Sequence, residues 1–330
     1  MKWSTLVLSL LPLVSAAPKQ PKVPKTFSQR VVFTPPDNYT DPRVLYARTA
    51  QFKDGTLLAT PEPPLVYFPI YKSTDGGYNW KELSRPLYIL PKPFAGFPAE
   101  TVLLAGSSIP TDLSSTHIDL YASTTAARPA REHLICYYSD QRDNATHGQK
   151  MVHQTTADLR AWGPVVDDVA YPTYTERPGM PTVARLPSGK YIMAYEYGGS
   201  PVIPGSYQFP VFFKLAADPE RFGAAEGVSL QTTDGYRPTG SPYVVWSPVG
   251  GGKNGTIIVS AHSSGDVYVN TGLAEPGSVW RRVATPEKNA YTRHLRVLND
   301  PTKLLIMGAG QLPPSTTNVV ELSVMDISKL

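Results

Sequence analysis

The octapeptide STDGGYNW, Ser73 to Trp80, follows the apolar and aromatic run YFPIYK and sets Ser, Asp, Gly and Trp in the pattern S-x-D-x-G-x-x-W. The spacing has a local physical meaning. Ser73 and Asp75 accept hydrogen bonds from the N–H groups of a turn, Gly77 supplies a positive φ, and Trp80 folds back beneath the turn. The four residues read as a structural staple between two strands, with no catalytic role. TADLRAW (Thr156, Asp158, Trp162) and AADPERF (Ala216, Asp218, Phe222) repeat it in degraded form, each with the aromatic four residues after the aspartate.

Outward from the staple the chain reads as a series of hairpins. RTAQFKDGTLLAT (48–60), TVARLPSGKYIMAYE (182–196), YVVWSPVGGGKNGTIIVSA (243–261) and LRVLNDPTKLLIMGAG (295–310) each flank a Gly or Pro turn with β-branched and aromatic residues. Helix signals are nearly absent, and 34 prolines and 25 glycines leave little room for βαβ units. Self-similarity across hairpins favours radial repetition, a β-propeller, over one large sandwich. QRVVF near residue 29 is expected to pair with NVVELSVMD at the other end, so that neither edge is left open.

These stretches, with CYYSDQRDNATHGQKMVHQTT, ERPGMPTVARLPSGKYIMAYEYGG, TGSPYVVWSPVGG and YTRHLRVL, cover most of residues 43–312. In them the chain resembles the sialidase-like Asp-box propellers, and among these the fungal proteins of glycoside hydrolase family 93. The resemblance implies an all-β, six-bladed propeller that removes arabinobiose from the ends of α-1,5-arabinan with retention. An oligosaccharide or polysaccharide substrate, no cofactor and a monomer are the corresponding expectations.

Retaining hydrolysis needs two carboxylates about 5–5.5 Å apart, a nucleophile and an acid/base. Glu196, in Tyr195-Glu196-Tyr197-Gly198-Gly199, matches one of them by resemblance. The residues point the same way: a carboxylate at a strand end before a Gly-Gly loop, between two tyrosines able to stack on sugars and donate hydrogen bonds. The second carboxylate is harder to place. In the family, the strand ending in a box like YASTD continues through a W-E-P-F-like motif whose glutamate is the other catalytic candidate. Here Thr125 stands at the box aspartate, and TAARPARE runs directly into HLICYYSDQ. One blade is therefore expected to be truncated, through a mis-joined exon or a deletion, which puts in question the hydrolase activity of the chain as written. Glu132, Glu176 and Asp266 are weaker substitutes, each in a joint or turn.

Arg48, Arg177 and Arg293 stand near strand starts in three units, and in a radial fold such positions converge, which would suit an anionic group. That arrangement resembles the sialidase arginine triad, with Tyr291 as a possible nucleophile, although Ala47-Arg48-Thr49 departs from the R-I-P motif of those enzymes. A sialidase-type exoglycosidase is thus an alternative, and a glycan-binding propeller without turnover is another. Asp140 and Arg142, in YSDQRD, either line the pocket or brace one another. Trp246 reads as a sugar platform or as core, and Cys136 as buried packing. His147 and His153 share no ligand spacing, so no metal is expected.

MKWSTLVLSLLPLVSAA has one lysine, a short apolar run and small residues at a cleavage site, which reads as a signal peptide over residues 1–16, followed by a Pro/Lys-rich leader over 17–27 and one propeller domain over 28–330. The apolar run is too short to span a bilayer. Asn38, Asn144 and Asn254 head glycosylation sequons, in keeping with a secreted, extracellular protein. A formal charge of +4 without a basic patch gives no reason to expect nucleic acid.

Overall fold

The computed structural model describes residues 26–330 apart from 37–43, 45, 62–68, 85–118, 124–132, 143–144, 158–160, 206 and 313–317, with backbone alone for 119–123 and 133–134. The expected signal peptide, most of the leader, Asn38, Asn144, Asp158, Thr125 and Glu132 lie outside the described residues.

The described chain is all-β. β1 (Phe27–Phe33) is followed by β2 (Arg48–Gln51), β3 (Leu57–Thr60), β4 (Ile70–Ser73) and β5 (Lys81–Ser84), which form one sheet. A second sheet holds β6 (Asp119–Ser123), β7 (His133–Asp140), β8 (Lys150–Thr156) and β9 (Val166–Val169). The third holds β10 (Arg177–Arg185), β11 (Tyr191–Gly198), β12 (Val211–Ala216) and β13 (Val228–Ser229). The fourth holds β14 (Tyr243–Ser247), β15 (Thr256–Ser260), β16 (Val267–Asn270) and β17 (Arg281–Val283). In the fifth, β18 (Thr292–Val297), β19 (Lys303–Gln311) and β20 (Asn318–Asp326) are completed by β1, in the order β1-β20-β19-β18.

Each sheet is an antiparallel meander, and the four hairpins read from the sequence join its first two strands. β1 pairs with β20 through Phe27↔Val324 and Phe33↔Val320, as expected for QRVVF and NVVELSVMD, so the two ends of the chain share one sheet. Neighbouring sheets meet chiefly through their first strands: β10 packs against β14, β14 against β18 and β18 against β2, while β10 meets the second sheet at β6, β7 and β8. The upper ends of these strands are where a shared site can form.

The turn after β4 is built as its residue types dictate. Ser73 Oγ accepts from the Gly77 N–H at 2.9 Å, Asp75 accepts from the Asn79 N–H at 3.0 Å, and Trp80 Nε1 donates to the Gly77 carbonyl at 2.8 Å. Gly77 has φ +95°, and its missing Cβ faces Leu57, Leu322 and Phe27. Partial burial would raise the Asp75 pKa, but hydrogen bonds from Asn79 and Ser73 outweigh it and hold the carboxyl below the usual range. Asp75→Ala is expected to cost about 1 kcal/mol. Because the depressed pKa contributes stability only while the carboxylate is ionised, the difference from the parent shrinks as pH falls through the folded pKa. Denaturant unfolding at neutral and acidic pH checks this; equal midpoints at neutral pH would contradict it.

The weaker copies occupy equivalent junctions. Thr156 ends β8, and Ala216 ends β12, ahead of an Asp218 that accepts from the Glu220 N–H and a fully buried Phe222. A further copy follows β16 and escapes the sequence pattern. Asn270 Oδ1 accepts from the N–H groups of Gly272 (2.8 Å) and Ala274 (3.0 Å), and Trp280 is buried beneath. Asn replaces the hydroxyl residue, and the tryptophan is displaced by three positions, so the spacing is lost while the hydrogen bonds are kept.

Candidate active site

Strand alternation decides where Glu196 goes. Along β11 the odd residues Tyr191, Met193, Tyr195 and Tyr197 pack with Ile135, Tyr137 and Met151 of the second sheet. The even residues Ile192 and Ala194 pack with Val244, Ile257 and Val259 of the fourth. Glu196 is the next even position, at the strand end, where the apolar filling stops. Its carboxylate Oε2 accepts the backbone N–H of Ser241 at 2.8 Å.

Both backbones around this carboxyl are unusual. Ser241 has φ +42° and is 5% exposed. Across the ladder, Gly179 stands opposite Glu196, the register shifts between Gly179 and Thr182, and Met180 has φ +56°. A Cβ at Gly179 would lie 2.6 Å from Gln149 Nε2 and 3.4 Å from Glu196 Oε1, so a larger residue there would displace the Gln149 amide. Two non-glycine residues in left-handed backbone beside one carboxylate is a concentration of strain typical of functional sites.

Arg177 stands opposite Gly198 and therefore on the Glu196 face. Its Nε donates to Gln149 Oε1 at 3.2 Å, and its guanidinium lies 5.8 Å from the Phe209 ring centre. Gln149 is held in turn by Gln141 Nε2 (2.8 Å), while its own Nε2 donates to the Pro178 carbonyl (2.6 Å). Ser139 Oγ, buried and without a hydrogen-bond partner among the described residues, borders the same space, 3.5 Å from the Gly179 Cβ position. Burial pushes the Glu196 pKa up, partly offset by the Ser241 N–H and the Arg177 charge. A carboxyl that keeps its proton above the ordinary range can donate it to a leaving-group oxygen.

Other expected site residues are placed differently. Tyr195 is wholly buried, its hydroxyl 2.9 Å from that of Tyr171, and Tyr197 stacks on Tyr171 at 3.8 Å and donates to Glu176. Neither shares a face with Glu196, because adjacent residues of a strand point to opposite sides; they build the core between sheets, and Tyr197 borders a cavity of about 430 Å³ together with Tyr171, Phe212 and Lys214. Asp140 is gripped by Arg142 through Nε (2.9 Å) and Nη2 (2.6 Å). Burial alone would raise the Asp140 pKa, but these bonds and the Arg142 charge hold it low, so the pair braces the loop after β7. Glu176 is tied to Thr173, and Asp266 pairs with Arg282 at 2.6 Å; both are turn carboxylates.

The expected arginine triad is not assembled. Arg48 lies 5.4 Å from the Tyr243 ring centre, beside a Tyr243–His294 contact of 4.7 Å that joins β14 to β18. Arg293, however, is 1% exposed; its Nη1 and Nη2 donate to the carbonyls of Ser264, Gly265 and Asp266 and to Thr285 Oγ1, and its Nε is buried with no partner among the described residues. It clamps the fourth sheet to the fifth and has no face for an anionic sugar. Tyr291 sits against Tyr46 (5.7 Å) and His262 (5.8 Å). Trp246 donates to the Asn254 carbonyl at 2.9 Å and packs on the core, and Cys136 is buried. Asn254 itself is half-buried in a turn, its amide 3.4 Å from the Thr271 carbonyl.

Gln149, Ser139 and Ser241 were not legible as site residues. Gln149 and Ser241 lie in connections whose course depends on tertiary packing, and Ser139 was passed over within a run otherwise read for its charges.

No protein-family model and no curated protein matches the chain. Among solved structures it is similar to the alpha-L-arabinanase of Penicillium chrysogenum complexed with arabinobiose, with 39% identity over 93% of this chain and 100% of that one and a TM-score of 0.77. It is also similar to the alpha-L-arabinofuranosidase of Fusarium graminearum. The arabinobiose complex of that protein shares 41% identity over 92% and 99% of the two chains, with a TM-score of 0.76. Its iminosugar complex shares 42%, with a TM-score of 0.77. The all-β scaffold, similar over nearly the whole length of these enzymes, defines the class as glycoside hydrolase. The chain belongs to glycoside hydrolase family 93.

Proposed function

We propose that this protein is a secreted, exo-acting hydrolase of α-1,5-arabinan that works with retention on a six-bladed propeller, with Glu196 as the acid/base. The observation that carries the reading is the Glu196 carboxyl itself: half-buried, raised in pKa, fixed by the Ser241 N–H and bordered by Arg177 and Gln149. Its proton goes to the oxygen of the departing arabinan chain as the glycosidic bond breaks and the anomeric carbon bonds to the nucleophile that retention requires, for which no residue is assigned; the Glu196 carboxylate then takes a proton from the water that displaces that nucleophile. Solved relatives with arabinobiose bound support this sugar over others. The committed guanidinium of Arg293 argues against the sialidase alternative.

A second reading, glycan binding without turnover, is favoured by one observation. β6 and β7 are paired from Asp119↔Tyr137 to Ser123↔His133, so only residues 124–132 join them where the family pattern carries the second catalytic glutamate. Sequencing the transcript across codons 121–141 and assaying its product on linear arabinan separates the two. Arabinobiose release supports hydrolysis, and tight binding without release supports the second reading.

Arg177 gives a direct test of the electrostatics. Its positive charge lowers the Glu196 pKa, so Arg177→Gln is expected to move the titration of Glu196 to higher pH. A carboxyl ¹³C NMR titration reads this without requiring activity. A midpoint unmoved or shifted to lower pH contradicts the arrangement.

A further inference from the structure

Directly beyond Glu196, Gly198 is kept small by two aromatic side chains, and Gly199 by its φ of +76° and the Thr175 carbonyl, 2.6 Å from its Cβ position, with Tyr207 alongside. A Cβ at Gly198 would lie 2.6 Å from Phe209 Cε1 and 3.0 Å from the Tyr207 hydroxyl, and one at Gly199 would lie 3.1 Å from Tyr207 Cε2. Side chains at positions 196 and 198 project from the same face of β11, two residues or about 7 Å apart. The space a side chain at 198 would fill is therefore taken by Phe209 and Tyr207, one step along from the Glu196 carboxyl.

Both rings are fixed. The Gly199 N–H donates to Gln208 O (3.2 Å) and the Gly240 N–H to Phe209 O (2.8 Å), which ties the segment to the residue preceding Ser241. The Tyr207 hydroxyl donates to Thr175 O at 3.0 Å, and its ring meets Phe209 edge-on at 5.3 Å. Tyr207 is nonetheless 54% exposed, a large apolar face held rigid in solvent beside Arg177 and Phe209. Rigid, half-exposed aromatics beside a few directed polar groups are what a carbohydrate site requires, since a sugar ring presents apolar C–H groups on one face and hydroxyls at its edge.

We propose that Tyr207, backed by Phe209, is a stacking platform for the sugar residue adjoining the one at Glu196, and that it sets preference for neutral oligosaccharides of more than minimal length. This rests on the reading of Glu196 as the catalytic carboxyl.

The test uses the full chain carrying Glu196→Gln, so that bound sugar persists, with calorimetric titration of arabino-oligosaccharides of increasing length beside xylo-, galacturono- and sialyl-oligosaccharides. Tyr207→Ala is expected to weaken the longer arabino-oligosaccharides on the order of tenfold and the shortest much less, with Tyr207→Phe close to the parent. Gly198→Ala, whose Cβ would press on the Phe209 ring at 2.6 Å and meet the Tyr207 hydroxyl at 3.0 Å, displaces both rings and is expected to give the same length-dependent loss. Arabino-oligosaccharide binding that is indifferent to Tyr207→Ala overturns the platform and leaves the arabinan reading standing. Tyr207-dependent binding of a different oligosaccharide keeps the platform and overturns the arabinan reading. No binding of any oligosaccharide overturns both.

Discussion

Replacing Glu196 with Gln is expected to lower turnover of arabinan oligosaccharides by about 10²–10⁴-fold, the span of a lost general acid/base, with little change in the affinity for the same sugars. Gln keeps the shape and can still accept the Ser241 N–H, but it cannot carry a proton between leaving group and water. The fold should not suffer. A carboxyl whose folded pKa lies above its unfolded value holds more protons folded than unfolded, so its presence lowers stability as pH rises from the unfolded value through the folded one. Removing it is therefore expected to leave the melting temperature at neutral pH equal or higher. Steady-state kinetics with a parallel melting curve distinguishes this from a structural role. A variant that loses activity and melts well below the parent would mean that Glu196 holds the two sheets together instead.

Arg293 carries the opposite expectation. Its guanidinium is buried, pushed down to about 10 by that burial yet still charged at neutral pH, and it fills three backbone carbonyls and one hydroxyl. Arg293→Ala strands those acceptors in the interior and is expected to cost about 3–5 kcal/mol, as for other broken buried charge contacts. Arg293→Lys keeps the charge without the planar fork and is expected to fall between. Denaturant midpoints read the effect. A sialidase-type triad makes a contrary demand: stability largely kept, and affinity for an anionic sugar lost.

The difference between these two residues shows what can be read from a chain of this kind. The staple at Ser73–Trp80, the hairpins and the β1–β20 pairing follow from local rules of turn chemistry and alternation, and they are where those rules put them. The placement of Glu196 near a strand end, ahead of two glycines, was legible because it is a local anomaly of the sequence. Arg293 looked equivalent to Arg48 and Arg177 because each opens a strand, but its partners lie in a loop some 27 residues away, and only packing reveals that they consume it. Tyr195 and Tyr197 were misassigned for a reason available at the outset: three consecutive strand residues cannot face one ligand. The box after Asn270 was invisible because hydrogen-bond geometry survives substitutions and insertions that spacing does not.

The most direct test is product analysis of linear α-1,5-arabinan incubated with the purified full chain and, in parallel, with Glu196→Gln. The account predicts arabinobiose accumulating from the parent from the earliest time points, without longer fragments, and almost none from the variant. Equal release by both proteins, or none from a parent that binds the polymer, would contradict the assignment of Glu196 as the acid/base of an arabinan hydrolase.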